Sequence, residues 1–208
     1  MAKLNFKYAT MNSGKTLDLL RTVNNYEENG FKALVVKPAI DSKGEDYIVS
    51  RVGLKRKVDY LIASDDSVIM KLKDELKETK AIFIDEAQFL TKEQVDEFYY
   101  ITKKFDVDVI CYGLRLNFKM EAFEGSMRLL EIAEELDELK TMCGCGNIAR
   151  YVGRKVDGKY VLDGSEVVID GTANVEYIPL CGKCYLEKVK NIDLSNDEEV
   201  TKIKYIHK

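Results

Sequence analysis

The stretch LNFKYATMNSGKT, Leu4 to Thr16, decides the fold of this chain. Leu4, Phe6 and Tyr8 alternate with Asn5 and Lys7, the period-two pattern of a strand. It runs into a loop that closes on Ser13-Gly14-Lys15-Thr16, and LDLLRTVNNYEENG beyond it has the amphipathic pattern of a helix. Strand, glycine-bearing loop, Lys-Thr and helix is the arrangement that wraps nucleotide phosphates. Backbone N–H groups and the helix N-terminus face the anion, Lys15 reaches the terminal phosphates, and the Thr16 hydroxyl stands where Mg²⁺ binds. The usual pattern has a glycine five residues before Gly14, where this chain has Ala9.

A length of 208 residues fits one ordinary domain, or a domain of roughly 150 residues with a small appendage. A hydrophobic fraction of 46% suffices for a packed core. The net charge is −4 and no basic stripe stands out, so a nucleic-acid partner has little electrostatic support. With no signal-peptide pattern and no apolar run near the ~20 residues needed to span a bilayer, a soluble, cytoplasmic protein without a membrane partner is expected. Cys111 lies alone in an apolar run and reads as core. Cys143, Cys145, Cys181 and Cys184 form two tight pairs, which in a cytosolic protein favour metal over disulfide. The single histidine is His207, so a zinc site must be built from four cysteines, and any general base must be a carboxylate or lysine.

Beyond the first helix, residues 32–37 read as a strand ended by Pro38, and 39–57 as a loop of low order. Residues 58–62 read as a short strand and 64–78 as a helix burying Val68, Ile69, Leu72 and Leu76. Residues 81–84 form an apolar run typical of a strand buried on both faces; 91–105 read as a helix capped by Thr91, and 107–112 as another buried strand. This alternation predicts an α/β fold with a mostly parallel sheet, whose ligands bind at the carboxyl ends of the strands. The loop at 9–16, Asp85-Glu86 and the segment after Gly113 then share one edge. From about Thr141 the chain turns to short β-like pieces (149–153, 160–162, 166–169) bracketed by the cysteine pairs. A terminal helix at 186–192 and a charged, mobile tail at 195–208 complete the expectation.

An apolar strand ending in Asp, as in AIFIDEAQFL, is the usual partner of a phosphate loop, because the carboxylate holds the Mg²⁺ shell opposite Thr16. Glu86 next to it is placed to take the proton of an attacking hydroxyl or water; the alternative is a second Mg²⁺-shell carboxylate. Four cysteines close a structural zinc site and leave no position open for catalysis. In LRLNFKMEAF, Leu114, Phe118 and Phe123 fit either a slot for a flat base or plain core. The segment VIDGTANVEYIPLC, 168–181, fits either a lid or a surface connection.

From Leu4 to about Glu187 the chain resembles the type II thymidine kinases, on ATMNSGKT at 9–16, DEAQF at 85–89, YGLRLNF at 112–118 with Phe123, and GTANVEYIPLC. Bacterial members of that family include the tight Cys-x-Cys spacing of 143–145. The resemblance implies an α/β fold: a P-loop NTPase, RecA-like parallel sheet flanked by helices, with a small β-rich zinc-binding lasso domain. It implies that Ala9, Thr10, Met11, Asn12, Ser13, Gly14, Lys15 and Thr16, with Asp85, Glu86, Ala87 and Gln88, bind ATP. Thr16, Asp85 and Asp41 are the implied Mg²⁺ residues and Glu86 the implied base. Met11, Leu114, Phe118, Phe123, Val168 and Tyr177 are the implied thymidine residues, and Cys143, Cys145, Cys181 and Cys184 the implied ligands of a structural Zn²⁺. A homotetramer with dTTP as feedback inhibitor is also implied. Two departures are Ala9, where many members have glycine, and Lys43, where arginine is common; lysine lacks the bidentate fork.

The expected organisation is a nucleotide-binding domain at 1–140, a zinc and lasso domain at 141–192, and a tail at 193–208. The expected activity is transfer of the ATP γ-phosphate to the 5′-hydroxyl of thymidine, and also of deoxyuridine. Two alternatives remain at this level: a recombinase-type ATPase stimulated by DNA, and a zinc-stabilised interaction module whose nucleotide site has decayed.

Overall fold

A computed structural model describes residues 1–39, 46–163 and 174–195. Asp41, Lys43, Val168, the expected strand at 166–169 and residues 196–208 lie outside them. The chain divides into two compact units. The first comprises Met1–Ala9, Ser13–Arg115 and Ala122–Leu139, and the second Thr10–Asn12, Leu116–Glu121 and Lys140–Lys208.

In the first unit, β1 (Leu4–Ala9) is followed by α1 (Lys15–Glu28) and β2 (Lys32–Pro38). A hairpin, β3 (Tyr47–Val49) and β4 (Lys55–Lys57), precedes β5 (Tyr60–Ile62) and a single short helix, α2 (Val68–Leu72). Then come β6 (Thr79–Ile84), α3 (Lys92–Phe105), β7 (Asp108–Leu114), α4 (Glu124–Ile132) and β8 (Glu135–Leu139). Among the described residues, six strands form one sheet in the order β5-β2-β6-β7-β1-β8, and every neighbouring pair is parallel.

The apolar run at 81–84 explains why the sheet is covered twice. Ile82 and Ile84 face a core shared with Leu72 of α2, Phe98 of α3 and Leu129 of α4. Ala81 and Phe83 face the opposite core, with Leu19, Leu20 and Val23 of α1. All four strand residues are fully buried, so alternation of polarity is absent and both faces need a helix layer. Because the strands are parallel, the ends of β1, β6 and β7 lie on one edge of this sheet. Thr91 caps α3, and its side chain and that of Gln94 bond each other's backbone N–H groups.

Several expectations change. The stretch 39–57 contains the β3–β4 hairpin, whose one buried strand residue, Ile48, is too weak a periodic signal to read. The helix expected over 64–78 is limited to α2. Beyond it the chain continues as turns, with Glu75 and Leu76 N–H both donating to the Leu72 carbonyl. The segment after Gly113 carries a helix, α4, and an edge strand, β8, before the cysteines begin.

In the second unit, β9 (Thr141–Met142) pairs antiparallel with β10 (Ile148–Ala149), and β11 (Tyr151–Val156) lies between β12 (Lys159–Val161) and β13 (Val175–Leu180). Asp157 and Gly158, both at positive φ, make the tight β11–β12 turn that the dipeptide predicts. The part of the 168–181 segment that is described is largely strand β13 rather than loop. The terminal helix, α5 (Gly182–Lys188), starts at the second cysteine pair, earlier than 186. Its Tyr185 is fully buried in a core with Cys143, Cys181, Cys184, Leu180 and Val189.

Candidate active site

Gly14 ends the loop after β1 in left-handed backbone, φ 79°, with open space where a β-carbon would stand; the need is conformational and not steric. It is the N-cap of α1 and itself brings no side chain to the first turn. Lys15 opens the helix and is buried, Thr16 follows half-buried. Burial lowers the Lys15 amine below its ordinary pKa, against the opposing pull of the Glu86 and Asp85 charges; Arg51, at the tip of the hairpin, adds to the lowering. No motif around Arg51 marks it as part of the site.

Asp85 leaves the end of β6 and is 5% exposed. Its carboxyl is pushed up to about 7, by burial first and the Glu86 charge second, with the Glu86 N–H, Lys15 and Lys37 acting the other way. Asp85 Oδ1 is buried and has no hydrogen-bond partner among the described residues. A buried carboxylate oxygen without a donor suits a hard cation, which would restore its charge. Glu86 follows in left-handed backbone, φ 53° and ψ 38°, as the N-cap of a single 3₁₀ turn at Ala87–Phe89. Ala87 is fully buried, and Gln88 is buried with both ends of its amide engaged.

Of the residues expected around a base, two belong to the first unit. Leu114 ends β7, and its carbonyl accepts the Ser126 hydroxyl at 2.5 Å. Phe123 caps α4 and meets Phe89 edge-on, with centroids 5.6 Å apart. Three belong to the second. Met11 is half-buried in the turn after β1. The Phe118 ring is buried, with the Arg154 guanidinium 5.0 Å from its centroid and its carbonyl accepting the Tyr185 hydroxyl at 2.6 Å. Tyr177 pairs in register with Arg154 across β13 and β11. Arg154 is hidden in the sequence because a lone arginine in YVGRKV looks like an ordinary strand charge; its burial marks it.

In the second unit the thiol sulfurs of Cys143, Cys145, Cys181 and Cys184 all lie within 4.8 Å of one another. Tetrahedral zinc with bonds of about 2.3 Å holds its sulfurs roughly 3.8 Å apart, so the cluster fits a metal such as zinc. The Asn147 backbone N–H, then the neighbouring thiols, bring Cys145 down, while the bond to Cys145 and burial push Cys184 up, so the crowded thiols share their protons unequally. The tight 143–145 spacing is absorbed by the turn between β9 and β10, where Gly146 takes φ 88°.

A family model described as thymidine kinase matches residues 2–185. The chain belongs to the thymidine kinase family. The thymidine kinase of Streptococcus gordonii strain Challis is 40% identical over 189 residues, covering 90% of this chain and 97% of that protein. That of Haemophilus influenzae strain Rd is 40% identical over 196 residues, covering 92% and 100%. That of Enterobacteria phage T4 is 41% identical over 197 residues, covering 92% and 100%. As a thymidine kinase family member the chain is a kinase with a parallel-sheet α/β core, and no helix of the described residues is long and apolar enough to cross a membrane.

Ala9 departs from the usual motif yet sits as ordinary strand, in register with Leu114 and Leu139 and 6% exposed. Ala9→Gly is expected to keep kinase activity while lowering stability by about 0.5–1 kcal/mol, the entropic cost of glycine in a strand. Thermal unfolding alongside a kinase assay checks this, and loss of ATP binding would show that the methyl group is required.

Proposed function

We propose that this chain transfers the γ-phosphate of ATP to the 5′-hydroxyl of thymidine, and also of deoxyuridine, giving the nucleoside 5′-monophosphate for DNA synthesis. The observation that carries the reading is the pairing of a buried Lys15 at the start of α1 with a buried Asp85, whose Oδ1 has no donor among the described residues, and an adjacent Glu86. Residues 9–16 and the segment 85–88 hold ATP, with Lys15 on the terminal phosphates. Thr16, Asp85 and Asp41 would hold Mg²⁺, whose charge would there offset that of the phosphoryl oxygens. Glu86 accepts the proton of the 5′-hydroxyl as that oxygen attacks the γ-phosphorus and the bond to the β-phosphate oxygen breaks. Met11, Leu114, Phe118, Phe123, Val168 and Tyr177 surround the base, and the four cysteines hold a structural Zn²⁺.

We assign 1–140 to nucleotide binding, 141–192 to the zinc and lasso domain and 193–208 to a tail, in a cytoplasmic homotetramer inhibited by dTTP. One assay tests the core of this reading. The protein is incubated with ATP, Mg²⁺ and a panel of nucleosides, and a monophosphate is expected from thymidine. No product from either thymidine or deoxyuridine overturns it.

A further inference from the structure

The turn that carries Glu86 is gripped on two sides by glycines. A β-carbon at Gly125 of α4 would stand 2.6 Å from the Leu90 carbonyl oxygen and 2.7 Å from that of Ala87, so the helix lies against the turn's own backbone. A β-carbon at Gly113 of β7 would stand 3.0 Å from Gln88 Oε1 and 3.1 Å from Gln88 N. Between helix and strand the turn has no room to shift. Left-handed backbone at a glutamate is strained and persists only where the surroundings enforce it.

Those contacts fix the backbone of Glu86 but leave its side-chain torsions open. Gln88 supplies what is missing. Its Oε1 accepts the Leu114 N–H at 3.0 Å, and its Nε2 donates to Glu86 Oε2 at 2.5 Å. The first bond decides the second. With the amide oxygen on an N–H donor, the amide nitrogen must face the carboxylate. At 1% exposure the amide meets no competing water. Glu86 Oε1 makes no hydrogen bond among the described residues, which leaves one carboxylate oxygen held and the other available.

We propose that Gln88 is the positioning residue of the Glu86 carboxylate: it anchors one oxygen to the end of β7 and aims the other at the acceptor hydroxyl. This rests on Glu86 being the base, and it assigns the Gln88 side chain to the base rather than to the phosphates. A misaimed base costs rate and not affinity, since a displacement near 1 Å can lower turnover about 100-fold.

The test compares wild type, Glu86→Gln, Gln88→Leu and the double variant, by kcat, by KM for ATP and for thymidine, and by thermal midpoint. Gln88→Leu should lower kcat about 10- to 100-fold with both KM values within about two-fold. In the Glu86→Gln background, removing Gln88 should change kcat no further, because there is no carboxylate left to aim. A raised KM for ATP at unchanged kcat, or losses that multiply in the double variant, overturns the proposal. Wild-type turnover in Glu86→Gln overturns the base assignment itself and is seen separately. Should Gln88→Leu not fold, Gln88→Met carries the test. It keeps the length of the side chain and removes the donor facing Glu86 without adding a charge. A folded Gln88→Met with wild-type kcat also overturns the proposal.

Discussion

Glu86→Gln is expected to leave the fold and ATP binding intact while turnover falls by about two to four orders of magnitude. Glutamine matches glutamate in shape, and its amide oxygen still accepts the Gln88 N–H, so the turn at 86–89 keeps its contacts. What is lost is basicity. A primary alcohol holds its proton firmly at neutral pH, and the described residues contain no histidine whose imidazole could substitute. Binding is spared because Lys15, Thr16 and Asp85 are untouched. The measurement is single-turnover phosphorylation of thymidine beside nucleotide affinity. Near-normal rates would remove Glu86 from the base role.

The second large effect is expected at the cysteines. Cys184→Ser, or zinc removal by a chelator, should release about one metal per chain and melt the second unit while the parallel sheet of the first persists. The main buried cluster described in that unit is small: Cys143, Ala149, Leu180, Cys181, Cys184, Tyr185 and Val189, with Val152 and Phe118 buried besides. Three of these are the thiols themselves, so the apolar remainder cannot offset the entropy of ordering strands of only two to six residues. Structural zinc supplies on the order of 10 kcal/mol or more to such modules. Metal content by atomic absorption and the tyrosine circular-dichroism signal report the loss, since Tyr151 and Tyr185 meet in this unit at a 45° tilt, 5.7 Å between centroids. An apo protein with an unchanged tyrosine signal and melting midpoint would sink the expectation.

How much of this was legible in the chain depends on which physical signal each part emits. The central strands were readable because 81–84 is apolar without interruption, and α3 because its capping residue and its periodicity agree. The helix expected at 64–78 misled for an instructive reason. Leu72 and Leu76 are both buried as the spacing implies, but the second is buried from a turn. Periodicity reports which residues go inward, and a bonded turn satisfies it as well as a helix does. Strand β8 was missed because Glu135-Leu-Asp-Glu-Leu139 is mostly charged. Edge strands carry such charges to discourage further pairing, which hides them from a search for apolar alternation. In the candidate site, Lys15, Asp85 and Glu86 were visible through motif and order. Gln88's bonding was not, because it depends on Leu114, which is 26 residues away in sequence.

The two long helices of the first unit begin in opposite ways. Helix α3 is closed by its own residues, Thr91 and Gln94, whereas α1 starts from a bare glycine. Part of the free energy that fixes the start of α1 therefore belongs to whatever anion meets it. By mass action, a ligand at about a hundred times its dissociation constant adds roughly 2.7 kcal/mol to the stability of the form that binds it. For a domain whose total margin is ordinarily about 5–15 kcal/mol, that share is large. On the proposed reading that anion is the nucleotide, and saturating ATP is expected to raise the thermal midpoint of this protein as well as to feed its reaction.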